Sequence, residues 1–145
     1  HLLRMEYWKQ LLERARAKTR LHARIAPGTE NWVSASAGRS GLGYNYSIRM
    51  EDAQVELYID RGDAEQNKQI FDALHEHKAE IETAFGAPLE WQRLDAKRAC
   101  RVRYVLTDGG LQNQPRWPKI QDAMIEAMTR LERALKPQIQ QLKLG

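Results

Sequence analysis

The spacing of apolar residues changes several times along this chain, and each change marks an element. Trp8, Leu11, Leu12 and Ala15 recur at three- and four-residue steps, with Lys9, Glu13, Arg16 and Arg20 off that face. That pattern predicts an amphipathic helix from about Leu3 to Arg20. After a break at Pro27-Gly28, Asn31 to Ala37 reads as a strand of small residues, and a glycine-rich connection, Gly38 to Gly43, follows. Tyr44, Tyr46, Ile48 and Met50 then alternate with Asn45, Ser47 and Arg49, and Val55, Leu57 and Ile59 with Glu56, Tyr58 and Asp60. The alternation predicts two half-buried strands, joined at Glu51-Asp52 as an antiparallel hairpin.

The stretch from Ala53 to Arg98 organises the rest: strand, turn, helix, glycine stop, strand. Gly62 permits a tight turn, and Asp63 with Gln66 has the form of a capping box. One long helical run follows from Asn67 to Phe85, with Ile70, Phe71, Leu74, Ile81 and Phe85 on one face and the stem of Lys78 along it. Gly86 is a left-handed helix stop and Pro88 prevents resumption. Leu89 to Leu94 and Ala99 to Leu106 read as strands joined by a short link at Asp95 to Arg98. Pro118 opens the last helix, Ile120, Met124, Ala127, Met128, Leu131 and Leu135 form its stripe, and Pro137 ends or kinks it. The expected fold is α+β: a mainly antiparallel five-stranded sheet in the order helix, three strands, helix, two strands, helix. Helices cover one face of the sheet. The other carries Asn45, Arg49, Glu56, Tyr58, Asp60, Arg101 and Arg103, and is either a binding surface or simply hydrated.

At 145 residues the chain is one domain by size, residues 1–145, and 42% hydrophobic with 29% charged residues is ordinary for a globular protein. No apolar run approaches the roughly 20 residues that cross a bilayer. Cys100 is the single cysteine, so no internal disulfide forms, which fits a cytoplasmic location. The net charge of +4 permits nucleic-acid binding without requiring it. Its distribution says more. Arg14, Arg16, Lys18, Arg20 and Arg24 gather at the end of the first helix, and Arg93, Lys97, Arg98, Arg101 and Arg103 around the last strands.

Catalytic motifs fall short of their templates. His75 and His77 are spaced by two on a helix, where zinc ligands need one turn, so no metal is assigned to them. His22, in a basic run, is expected to be exposed. Gly38 to Gly43 lacks the Lys-Ser/Thr ending of a P-loop, and Leu42 replaces the last glycine of a nucleophile elbow. It reads as a hairpin loop, with an anion-binding nest beside Arg39 as the alternative. Arg61-Gly62-Asp63 is explained by turn and cap chemistry. Helix, three strands, helix, strand is also the core order of restriction-endonuclease-like enzymes. Those hold a divalent metal on acidic residues with an acid-x-Lys on the third strand. Here that strand offers Glu56-Leu57-Tyr58, without the lysine, and Asp95-Ala96-Lys97 comes after the fourth strand. A nuclease would have to use Glu56, Asp60 or Asp95 with Lys97, and Mg²⁺.

The run Val55 to Asp63, with Asn67-Lys68, Ile70-Phe71-Asp72, Leu89-Glu90-Trp91, Arg93-Leu94-Asp95, Lys97 to Cys100 and the early Asn31-Trp32, resembles the bacterial and archaeal family called domain of unknown function 4268. The resemblance implies a domain often C-terminal to a restriction-endonuclease-like nuclease domain in a longer protein. The start at His1 rather than Met fits such an excision. It carries no catalytic residues over. It points by context to a non-catalytic accessory domain that helps a nuclease domain of the same chain engage DNA or a partner protein. On that reading Arg49, Arg101 and Arg103 meet phosphates, Tyr58 stacks on a base, and Arg16 and Arg20 add charge. Two alternatives stand beside it: the metal-dependent nuclease, and a dimerisation module using Trp117 and the last helix. Asp60 and Asp95 are assigned a structural role, in a buried salt-bridge network with Arg93 or Arg98.

Overall fold

A computed structural model describes residues 1–144. Among them run α1 (Leu2–Arg16), β1 (Trp32–Ser36), β2 (Leu42–Ile48), β3 (Ala53–Ile59), α2 (Ala64–His75), α3 (Lys78–Phe85), β4 (Glu90–Gln92), β5 (Cys100–Leu106) and α4 (Trp117–Gln140), with a 3₁₀ turn at Gln114–Arg116. The five strands form one sheet in the order β1-β2-β3-β5-β4, every pair antiparallel. The expected α+β architecture is the one observed.

Alternation within the strands decides which side the helices cover. Tyr44, Tyr46, Val55, Leu57, Cys100 and Val102 point into a continuous core beneath α4, whose stripe of Ile120, Met124, Ala127, Met128, Leu131 and Leu135 is buried against them. α4 contacts β2, β3 and β5, and α1 packs on α4 through Tyr7, Trp8, Leu11 and Leu12. Trp8 fixes the chain after α1 by donating its indole N–H to the Glu30 carbonyl at 2.8 Å.

The structure departs from the sequence pattern in several places. The run from Asn67 to Phe85 is two helices, not one, with a turn at Glu76-His77. α2 packs on β3 and β5 whereas α3 packs on α4, so the chain must change direction between two partners. The turn also leaves Lys78 exposed at the start of α3 instead of lying along the apolar face. Only half of the capping box forms: the Asp63 carboxylate accepts the Gln66 amide at 2.9 Å. Gly86 does take the left-handed stop, at φ 95°. α1 ends at Arg16, which puts Arg20 in the following turn. β4 is three residues long because Leu94, at φ 55°, turns the chain away. Pro137 neither ends nor interrupts α4, which continues through it to Gln140.

His22 is buried rather than exposed. Its Nε2 lies 3.0 Å from the Tyr44 carbonyl, its ring packs on Tyr46, and burial lowers its pKa. Trp117 is buried too, edge-on to Tyr7 and donating to the Leu111 carbonyl at 3.0 Å, so it offers no surface for dimerisation.

Candidate functional site

With all the helices on one side, the sheet's second face stays open, and its side chains build a cavity of about 670 Å³. The concavity follows from residue size. Apart from Trp32 and Asn45, the outward positions on β1 and β2 are the small Ser34, Ser36, Gly43 and Ser47, whereas β3 and β5 present Gln54, Glu56, Tyr58, Arg101 and Arg103. Small residues on one half and long ones on the other leave a hollow. Gly43 keeps its floor open: a Cβ there would come within 2.7 Å of the Ser34 hydroxyl. Trp32, 48% exposed, stands at the β1 edge.

Glu56 lies at the centre and is 3% exposed. Its carboxylate accepts from Gln54 Nε2 at 2.8 Å, Asn45 Nδ2 at 3.2 Å and Arg101 Nη1 at 3.4 Å. Burial raises its pKa, and the opposing pull of Arg101 and the two amides does not cancel that rise. Arg101 also lies over the Tyr58 ring, 5.8 Å from its centroid. Arg103 donates to Gln54 Oε1 at 3.0 Å and to Glu90 at 3.2 Å. Two polar atoms of the floor, Asn45 Oδ1 and Arg101 Nε, are buried and have no partner.

Arg49, Tyr58, Arg101 and Arg103, expected from the sequence to form one surface, all line this cavity. Arg16 and Arg20 do not; Arg16 donates to the Ala23 carbonyl at 3.2 Å beyond the end of α1. Arg49 is already held by both oxygens of Asp52. Asp60, placed by parity on the same face, lies past the end of β3 and turns to the helix side. It accepts from Asn67 Nδ2 at 3.1 Å and Arg98 Nη2 at 2.7 Å, and Arg98 holds its pKa below the usual carboxylate range. Asp95 pairs with Arg93, which also grips Asp72 at 2.9 Å. These Arg93 and Arg98 pairs form as expected, but on half-buried and exposed side chains rather than in a buried network.

Glu56, Asp60 and Asp95 thus sit in three separate sets of partners, and Lys97 is exposed in the β4–β5 connection. Among the described residues no group of three or more His, Cys, Asp or Glu is placed to hold a metal. The Gly38 to Gly43 segment is a hairpin turn anchored by Arg61, which donates to the Ser40 carbonyl at 2.7 Å. Arg39 leaves the same turn to reach the carbonyls of Gln140 and Leu142.

The family described as domain of unknown function (DUF4268) matches residues 3–139. The chain belongs to that family. No curated protein and no solved structure matches it. As a member of DUF4268 it inherits a family but no assigned chemistry, so the cavity has to be read from its own groups. Two contributors carried no clear sequence signal. Gln54, at the first outward position of β3, looks like any strand-edge amide, and the outward serines of β1 look like ordinary solvated positions. The signal lay in their combination: serine and glycine outward on two adjacent strands, beside long polar residues on the next two.

No helix among the described residues is long and apolar enough to cross a membrane.

Proposed function

We propose that this DUF4268 domain is a non-catalytic accessory module that binds single-stranded nucleic acid across its open sheet face, in the service of a nuclease domain of a longer chain. The observation that carries the proposal is the lining of the cavity. Arg49, Arg101 and Arg103 line the same hollow as a single carboxylate, Glu56, with Tyr58 and the exposed Trp32 beside them. Cations that track a backbone and aromatic rings that stack on bases are the two components of single-strand recognition. Aspartate or glutamate partners on these arginines (Asp52, Glu56 and Glu90) reduce the free positive charge. The dependence on salt is therefore shallow for a nucleic-acid binder, with a log–log slope of roughly −1 to −2, the value for two or three phosphate contacts on a single strand.

Fluorescence anisotropy with short single-stranded and duplex DNA, at low and physiological salt, tests this reading. Single strands bind more tightly than duplex, and Arg101→Ala with Arg103→Ala weakens binding about tenfold and flattens the slope by about one. Unchanged affinity in that double variant would remove the sheet face from the account. Mg²⁺-dependent cleavage of the DNA, abolished by Glu56→Gln, would replace the accessory role with a nuclease.

A further inference from the structure

The floor of the cavity carries a more specific message than its charge. Buried polar atoms in folded proteins almost always have partners, and one left alone is costly. Asn45 is 8% exposed, yet its Oδ1 has no partner, and neither does the buried Nε of Arg101. The two residues flank the same Glu56 carboxylate, to which each gives its other polar group. Glu56 also fixes which end of the Asn45 amide is which, because a carboxylate oxygen accepts from the NH₂ and repels the carbonyl. One acceptor and one donor are thereby left over on the cavity floor.

We infer that this floor is a pocket for one unpaired nucleobase, an inference that rests on the nucleic-acid reading above. A phosphate presents only acceptors and would satisfy Arg101 but not Asn45. The edge of a nucleobase presents both an N–H donor and an acceptor, one kind of group for each. The base's flat face suits the aromatic component of the lining, Tyr58 under the Arg101 guanidinium and Trp32 at the rim. About 670 Å³ lies within the range of roughly 300–1,000 Å³ usual for small-molecule pockets. In a duplex the pairing edge is occupied and stacked out of reach, so the base must come from a single strand, a loop or a flipped position. Gly43 belongs to this design, because a methyl group there would project to 3.6 Å from Asn45 Oδ1 and narrow the floor.

The test uses the full chain and two kinds of probe. Ligand-observed saturation-transfer NMR with adenosine, guanosine, cytidine and thymidine gives transfer to at least one nucleoside in the wild type. That signal is lost in Asn45→Leu and in Gly43→Ala; the second variant leaves every partner of Glu56 in place, and wild-type-like circular dichroism spectra and cooperative melts of both variants exclude a folding defect as the cause. In anisotropy titrations, a single-stranded oligonucleotide binds at least about tenfold more tightly than its abasic counterpart of the same length and charge, the scale of one stacked base. Equal affinity for the two, or no transfer from any nucleoside, would overturn the base pocket while leaving phosphate-directed binding intact. If no oligonucleotide binds even at low salt but a nucleoside does, the pocket stands and the polymer is removed from the account. If neither binds, both fall, and the leftover donor and acceptor are met by water.

Discussion

Glu56 holds three side chains in place from the centre of the cavity, and burial sets the direction in which its pKa moves. Because its folded pKa is raised, the folded chain holds that proton more tightly than the unfolded chain does. Its contribution to stability is therefore fully present below the unfolded carboxyl pKa and is lost as the pH rises through the raised folded value. Replacing a whole buried ion pair by apolar groups is often neutral or stabilising, whereas removing one partner leaves the other uncompensated. Glu56→Gln turns an NH₂ toward donors that now meet a carboxylate oxygen, and is accordingly expected to destabilise the chain at pH 7 by about 1–3 kcal/mol, with the difference moving in favour of Gln as the pH rises. Urea denaturation of both proteins across the acid-to-neutral range measures this. A difference that moves in favour of Glu would mean that the Arg101 pair outweighs desolvation. Asn67 is the opposite kind of polar residue, fully buried and fully used. Its Oδ1 accepts the Arg61 amide at 2.8 Å, and its Nδ2 serves Asp60 Oδ1 and the Arg98 carbonyl, each at 3.1 Å. Asn67→Ala should cost about 2–4 kcal/mol in the same assay, since it strands several groups at once.

At the scale of elements, Lys68 on α2 ties the helix to the β4–β5 connection. Its ammonium donates to the carbonyls of Arg93, Ala99 and Leu94 at 2.7, 3.0 and 3.0 Å, and lies 3.3 Å from Cys100 Sγ. Lys68→Met keeps the stem but leaves those carbonyls without their donor. It is expected to destabilise the chain by about 2 kcal/mol and to accelerate amide exchange selectively from Arg93 to Ala99. Uniform acceleration, or none in that segment, would mean the contact is incidental. The same connection shows why some elements were legible in the sequence and others were not. β2, β3 and α4 follow from period alone, because each buries its stripe against one continuous partner. The break at Glu76-His77, the shortness of β4 and the passage of α4 through Pro137 depend on which neighbour each segment meets. A period carries no information about that. His22 was misplaced for a related reason: a histidine in a basic run looks solvated until a strand carbonyl, that of Tyr44, closes over it.

For the whole molecule, the layering creates the site. Placing every helix on one side of an antiparallel sheet leaves the other side to its own side chains, and strand order then decides which of them meet. β5 lies between β3 and its sequence neighbour β4, which brings Arg101 and Arg103 next to Glu56 and Tyr58. The polar face itself was readable from alternation. Its hollow shape and its leftover donor and acceptor were not, since both need the strands in register. The most direct test of the central claim is an amide chemical-shift titration of the ¹⁵N-labelled chain with a short single-stranded oligonucleotide. The shifting resonances should cluster at Ser34, Gly43, Asn45, Glu56, Tyr58, Arg101 and Arg103, with α1 and α3 unaffected. Shifts confined to the Arg14 to Arg24 region at the end of α1, or no shifts at all, would contradict it.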